Sequence, residues 1–69
     1  MANFTDFGKR VKIRLIDINC DQTWLIEQVR QKTGLYFDSS YLWKIMVGRA
    51  KTPSIVKAIC EILELEEPE

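Results

Sequence analysis

The side chains best suited to hydrogen-bond a charged partner are concentrated between residues 39 and 51. They carry hydroxyl, ammonium and guanidinium groups: Ser39, Ser40, Tyr41, Lys44, Arg49 and Lys51. A serine hydroxyl can donate to or accept from any base edge, and a lysine can donate to guanine O6 or N7 or to a phosphate. A tyrosine can reach a phosphate or pack on a thymine methyl group. The residue types therefore indicate contact with a nucleic-acid duplex.

The composition argues against catalysis and against a metal site. The chain has no histidine, so it lacks the commonest general base and the commonest zinc ligand. Cys20 and Cys60 lie far apart in the sequence without a C-x-x-C pair. We expect two buried thiols in a reducing compartment, with a disulfide or a redox switch as the alternative. We therefore expect no enzymatic activity, no cofactor and no bound metal.

Charge is distributed unevenly along a chain whose formal net charge is zero. All ten basic residues and only five of the ten acids lie before residue 61. The remaining acids are Glu61, Glu64, Glu66, Glu67 and Glu69. A basic body is what a polyanionic partner requires, but a mixed, solubilising surface has the same imbalance. Charge alone does not separate these two interpretations.

Length and composition predict one small helical domain. The chain has 69 residues, of which 46% are hydrophobic, with three glycines and two prolines. Apolar residues recur at helical spacing in four segments, each with its own start and stop signals. The predicted helices cover about 3–18 (cap Asn3 or Thr5), 22–32 (cap Asp21, end Gly34), 39–47 (cap Asp38, end Gly48) and a fourth from Thr52 and Pro53 onward.

The inward faces of these helices define a candidate core. It comprises Phe7, Val11, Leu15, Ile18, Leu25, Ile26, Val29, Leu42, Ile45, Met46, Ile55, Val56, Ile59, Ile62 and Leu63, with Ala58 and Cys60 as small packing residues. The predicted fold class is all-α, a compact bundle of four or five short helices. The domain covers residues 1–65 and is followed by an acidic tail over residues 66–69.

Residues 21–47 read as a helix, a turn and a short helix. In a helix-turn-helix module the second helix lies in the DNA major groove, and its first residues face base edges. Since Leu42 and Ile45 point inward, the side chains of Ser40, Tyr41 and Lys44 are expected on or near the solvated face. After the helix, Arg49 and Lys51 form a basic loop that suits the adjacent phosphates.

The order of these motifs resembles the lambda repressor-like (XRE/Cro-type) helix-turn-helix family of phage and mobile-element regulators. The resemblance covers about residues 7–65 and rests on F-G-K-R-V, D-Q-T-W-L, Y-L-W-K-I-M-V-G-R and T-P-S-I-V-K-A-I-C-E-I-L-E-L. It implies that Gln22 clamps a phosphate and braces the first residue of the third helix. The implied base-reading residues are Ser39, Ser40 and Lys44 with Tyr41 beside them, and the implied backbone contacts are Arg49, Lys51 and Ser54.

Two features depart from the family pattern. The stretch 32–38 is longer than in the shortest phage repressors and carries Leu35, Tyr36 and Phe37, which we expect to pack over the junction of the second and third helices. Contact of Tyr36 with DNA or a partner is the alternative. Where many relatives pair a buried arginine with a glutamate, this chain has Leu15 and Met46, and we expect these two to touch, because packed apolar groups can replace a buried ion pair.

Some other residues have a plainer interpretation. Trp24 and Trp43 are expected at structural or half-exposed positions, with stacking on nucleic acid as the alternative. The basic residues of the first helix are expected on a solvated face, with a phosphate track as the alternative: Lys9, Arg10, Lys12 and Arg14.

Taken together, the sequence predicts a sequence-specific DNA-binding regulator of phage or mobile-element type, a repressor that places helix 39–47 in the major groove. The expected partners are operator DNA and a second copy of the chain, paired through Leu63 and Leu65 or only on DNA. Charged residues throughout the first twenty leave no signal peptide or membrane span, which predicts a cytoplasmic protein. The alternative is a small helical protein-interaction module that uses the Leu35–Phe37 insert.

Overall fold

The chain forms four α-helices in a computed structural model that describes residues 3–67. They are α1 (Asp6–Asp17), α2 (Gln22–Thr33), α3 (Ser39–Met46) and α4 (Pro53–Leu63). The all-α prediction is confirmed, with four helices rather than five over the described residues. No helix among them is long and apolar enough to span a bilayer. The last two residues of the predicted acidic tail, Pro68 and Glu69, lie outside the described residues.

The two central helices begin where the sequence predicts and end within one residue of the predicted positions. The side chain of Asp21 accepts a hydrogen bond from the Trp24 N–H at 2.8 Å, which satisfies a free donor in the first turn of α2. Asp38 opens α3 in the same way. Gly34 closes α2 at φ 69°, a left-handed conformation that costs little for a residue without a Cβ.

The ends of the outer helices differ in detail from the prediction. Thr5 rather than Asn3 caps α1, because its hydroxyl accepts the Gly8 N–H at 3.1 Å. Thr52 does precede Pro53 at the start of α4, but its side chain makes no capping bond. The Thr52 hydroxyl hydrogen-bonds the Tyr41 hydroxyl instead, which ties the start of α4 to α3.

All four helices contribute apolar side chains to one core, and no polar or charged residue within 3–67 is buried. The buried residues are Phe7, Val11, Leu15, Leu25, Val29, Phe37, Leu42, Ile45, Met46, Ile55, Ala58, Ile59, Cys60 and Leu63. Four predicted core residues are only partly buried: Ile18, Ile26, Val56 and Ile62. Leu63 is 1% exposed, so the prediction that it mediates dimer contacts is wrong. Its surface is already used by the core of its own chain.

The apolar insert between α2 and α3 is only partly packed. Phe37 is 1% exposed and joins the core, whereas Leu35 is 46% exposed and Tyr36 is 75% exposed. The expectation that all three cover the helix junction is therefore wrong. Consecutive residues of a non-helical connection point to different sides of the chain, and here only Phe37 points into the core.

The N-terminus of α1 is joined to the C-terminus of α3 by a close backbone contact. The backbone N–H and the hydroxyl of Thr5 both donate to the Met46 carbonyl oxygen, each at 3.0 Å. Gly8 lies against the same peptide, where a Cβ would come within 2.9 Å of the Met46 carbonyl carbon. Leu15 and Met46 share the core. The backbone of Met46 meets α1 at Gly8, about two turns before Leu15. Direct contact between the side chains of Leu15 and Met46 therefore stays a prediction.

Arg14 joins α1 to the C-terminal end of α4. Its Nε donates to the Leu63 carbonyl oxygen at 2.9 Å, and its Nη2 donates to the Glu64 carboxylate at 3.1 Å. The carbonyls of a helix's last turn lack partners within the helix, so this arginine satisfies one of them. Arg14 is thus half-buried in a fixed contact, unlike the freely solvated residue the sequence predicts.

We expect Arg14→Met to lower the free energy of unfolding by about 1–2 kcal/mol, because the variant keeps the aliphatic stem but loses the donor to Leu63. Glu64→Gln removes only an ion pair whose acid side chain is 79% exposed, and it should cost less than about 0.5 kcal/mol. Urea unfolding followed by circular dichroism measures both values. Equal losses for the two variants would show that the ion pair, and not the carbonyl contact, is what stabilises this junction.

Both cysteines are free thiols, as the sequence predicts, but only Cys60 is buried. Burial raises the pKa of the Cys60 thiol. Cys20 is half-buried in the turn between α1 and α2, where its Sγ donates to the Ile18 carbonyl oxygen at 3.5 Å. Each thiol therefore behaves as a small packing residue.

Candidate nucleic-acid interface

The outer face of α3 exposes three of the predicted base-reading side chains. Ser39, Ser40 and Lys44 are exposed, as the sequence predicts. The reason is the helix's opposite face, where Leu42, Ile45 and Met46 are all buried. The apolar face and the Asp38 cap fix the orientation of α3, so the two serines and Lys44 are held outward on an anchored helix.

Tyr41 does not lie on the solvated face with them. It is half-buried, with its ring centroid 5.2 Å from that of Phe37 and its hydroxyl bonded to Thr52. Tyr41 precedes the buried Ile45 by four residues, about one helical turn, and so flanks the core face rather than opposing it. The placement predicted for Tyr41 is therefore wrong: its side chain positions the start of α4.

Trp43 takes part in the exposed surface instead, together with Arg49. Trp43 is 40% exposed, and the Arg49 guanidinium carbon lies 5.3 Å from the centroid of its ring, within the range of a cation–π interaction. The loop is held in place by the N–H groups of Arg49 and Ala50, which donate to the Lys44 carbonyl oxygen at 2.8 and 3.1 Å. The half-exposed placement of Trp43 is as predicted, but its pairing with Arg49 is not in the sequence prediction.

Helical spacing accounts for the exposure of Trp43 but not for its pairing with Arg49. Trp43 follows the exposed Ser39 by four residues and precedes the exposed Lys44 by one. Residues four apart on a helix lie on the same face, so Trp43 borders the polar stripe. Its pairing with Arg49 depends on the chain reversal at Gly48 (φ 83°), which helical spacing does not describe.

The charged residues in α3 and in the segment that follows it are all basic, with an exception directly before the helix. Residues 39–60 contain four basic residues, Lys44, Arg49, Lys51 and Lys57, and no acid. The exception is the capping Asp38, whose carboxylate accepts hydrogen bonds from the Tyr36 hydroxyl and the Tyr41 N–H. The bond from Tyr36 lowers the pKa of Asp38, and the same bond raises the pKa of Tyr36. An ionised carboxylate therefore lies at the end of α3 where contact with bases is expected.

Gln22 is exposed in the first turn of α2. The hydrogen bonds of residues 3–67 include none from its side chain to α3, so the brace implied by the family resemblance is not formed in this structure. Its exposed amide remains free to meet a phosphate at the helix N-terminus.

Lys51, in the loop after α3, and Ser54, in the first turn of α4, are exposed, as predicted, but Lys51 has acidic neighbours. It lines a groove that also contains Arg10, Glu66 and Glu67. Carboxylates along the same groove weaken the attraction of Lys51 for a phosphate. Lys44 also has a carboxylate nearby, since its charge contributes to the lowered pKa of Asp38, whereas Arg49 lies against the Trp43 ring.

The arrangement provides hydrogen-bond donors and positive charge on a fixed helix. Within the described part of the chain, no group of three His, Cys, Asp or Glu side chains could hold a metal ion. Comparison of the chain with family models, with curated proteins and with solved structures found no match. A functional interpretation therefore depends on the geometry of α3 and the residues around it.

Proposed function

We propose that this protein binds double-stranded DNA in the cytoplasm with α3 in the major groove and regulates transcription, as a repressor of phage or mobile-element type. The side chains facing the bases are Ser39, Ser40 and Lys44. Arg49, Lys51, Ser54 and the amide of Gln22 are placed for phosphates. The lambda repressor-like resemblance of the sequence motivates the regulatory role.

The observation that carries the proposal is the exposed face of α3. A surface helix needs only a polar exterior for solubility, and acids would serve that purpose as well as bases. Here the exposed face and the following loop contain two hydroxyls, an ammonium group and a guanidinium in cation–π contact with an indole, with no acid between residues 39 and 60. This is the chemistry that reads base edges and neutralises phosphates.

The size of the protein supports binding as a pair. The described residues span 29 × 24 × 22 Å, which is less than the ~34 Å between successive major-groove faces on one side of a duplex. One copy therefore reaches a single half-site. Since affinity and specificity grow with the number of bases read, two copies on a two-fold symmetric operator are the effective unit.

Exposure of Leu35 and Tyr36 favours a second candidate, a protein-interaction module. These two residues line a shallow depression together with Glu27, Arg30 and Gln31. Phe37, the third residue of the insert, is not available to a partner because it is in the core. The depression is shallow and bears charge of both signs, so this candidate has less support than the interface on α3.

Selection of bound duplexes from a random pool tests the proposal directly. A two-fold symmetric consensus is the expected result, and binding to it should weaken steeply as salt is added. With roughly four to six phosphates contacted per half-site, the log–log slope is about −0.9 for each contact. Recovery of no enriched sequence, together with salt-insensitive capture of a protein partner, would favour the second candidate.

We expect Asp38→Asn to raise affinity for random-sequence duplex by about two- to threefold at low salt, because it removes a negative charge from the end of α3 that faces the polyanionic duplex. Asparagine caps helices as well as aspartate does, so α3 keeps its first turn. Fluorescence anisotropy with a labelled duplex measures the change.

The matched control is Glu61→Gln, which removes the same charge from an exposed position on α4. It should change affinity less than Asp38→Asn does. If both substitutions raise affinity equally, the gain comes from net charge alone, and α3 is not the part of the protein closest to DNA.

A further inference from the structure

The outer face of α1 carries a stripe that the fold leaves uncovered. Ile13 is 58% exposed and Ile16 is 75% exposed, although the rest of this face is charged. Asp6, Lys9, Ile13 and Ile16 follow one another at spacings of three, four and three residues, the heptad spacing of a helix-pairing seam. The buried face of α1 is on the other side, at Phe7, Val11 and Leu15.

We propose that this stripe is a self-association surface, on which a second copy of the chain places its own α1 in antiparallel orientation. Ile13 of each copy then lies at the two-fold axis, and Ile16 packs against the aliphatic stem of Lys9 in the other copy. Self-association of the free protein needs no DNA, so the inference goes beyond the function proposed above.

Charge complementarity identifies the occupant as a second copy and sets its direction. Arg10 and Asp17 are both exposed, lie on the same flank of the stripe and are separated by two turns. Antiparallel pairing about Ile13 brings Arg10 of one copy beside Asp17 of the other, and the symmetry forms this pair twice. Parallel pairing would instead place Asp6 against Asp6 and Lys9 against Lys9, which is repulsive.

The opposite flank of the stripe is occupied within each chain. The Lys12 ammonium lies 4.9 Å from the centroid of the Phe4 ring. This cation–π contact draws the lysine toward the N-terminal end of its own helix and away from the centre of the stripe. The two isoleucines and the Arg10 and Asp17 flank therefore form the accessible part of the surface.

The size of the surface sets the strength of the pairing. A helix of 12 residues is about 18 Å long. One pair of such helices buries well below the ~800 Å² per partner of a standard interface. The dimer therefore forms at high protein concentration and dissociates on dilution, and an operator with two half-sites strengthens it by holding two copies together.

Sedimentation equilibrium of the free protein from roughly 10 µM to 1 mM tests the inference. The wild type is expected to shift reversibly from monomer to dimer. Ile13→Glu places two like charges at the symmetry axis and should weaken association at least tenfold. Leu35→Glu is the matched control, since it makes the same kind of change at an exposed apolar residue outside α1, and it should leave association unchanged.

Charge reversal tests the direction of the pairing. Arg10→Asp and Asp17→Arg should each weaken the dimer, and the double variant R10D/D17R should restore it. Wild type that stays monomeric throughout, a control that dissociates as fully as Ile13→Glu, or a double variant weaker than either single one would overturn the inference. None of these measurements contains DNA. A protein that dimerises but binds no duplex would therefore support this self-association surface and refute only the proposed function.

Discussion

Replacing Gly8 with alanine is expected to lower the free energy of unfolding by about 3 kcal/mol. The added Cβ would lie 2.9 Å from the Met46 carbonyl carbon and 3.0 Å from its Cα, and still closer to its oxygen. These are backbone atoms, so no side chain can rotate away, and α1 must separate from the end of α3. The separation combines overpacking, about 1–3 kcal/mol, with loss of the two Thr5 hydrogen bonds to Met46, about 1 kcal/mol each.

Whether Gly8→Ala lowers or raises the free energy of unfolding distinguishes a packing role of Gly8 from the ordinary effect of helix propensity. In an open helix the same substitution would stabilise the protein by about 0.5–1 kcal/mol, which offsets only part of the clash. A domain of this size has a total stability of only a few kcal/mol, so we expect the melting temperature to fall by more than about 10 °C. Thermal unfolding followed by circular dichroism measures the shift.

Gly34→Ala provides a control for the same chemical change without a clash. A Cβ at Gly34 meets nothing within 4 Å, although its φ of 69° strains an alanine. The cost there is about 1 kcal/mol. A Gly8→Ala variant as stable as wild type, or more stable, would show that α1 and α3 are not held at the spacing described above.

Helix positions were predictable from the sequence because their signals are local. Asp21 and Asp38 cap the second and third helices through bonds that span three residues, and Gly34 closes α2 within the same turn. A sequence pattern detects contacts of that range. The exposure of the two serines and Lys44 on α3 follows from the same helical spacing, since the opposite face of the helix is apolar.

The features that the sequence could not reveal depend on contacts between distant residues. Gly8 is an ordinary glycine until the backbone of Met46 lies against it, and Arg14 appears solvated until the end of α4 reaches it. In a sequence pattern, a leucine at position 63 fits a core position and a dimer interface equally well. Only the packing of α4 against the other helices shows that Leu63 is buried.

Lys44→Ala and Lys51→Ala are expected to weaken DNA binding in different ways. Lys44 lies on the exposed face of α3, where it can donate to a guanine, so its loss should lower discrimination between operator and random duplex by about 1–3 kcal/mol. Lys51 lies in the loop beyond α3 and meets phosphates, which are the same in every sequence. Its loss should weaken both duplexes alike and reduce the salt slope by about one contact.

The carboxylates beside Lys51 refine this expectation. Glu66 and Glu67 line the same groove, so part of the lysine's charge is already compensated, and its loss should cost less affinity than loss of Lys44 does on the operator. Titration of each variant against the selected operator and a shuffled duplex at several salt concentrations gives all four affinities. If Lys44→Ala weakens operator and shuffled duplex by the same factor, Lys44 contacts phosphate rather than bases, and base recognition must come from the serines or from Trp43.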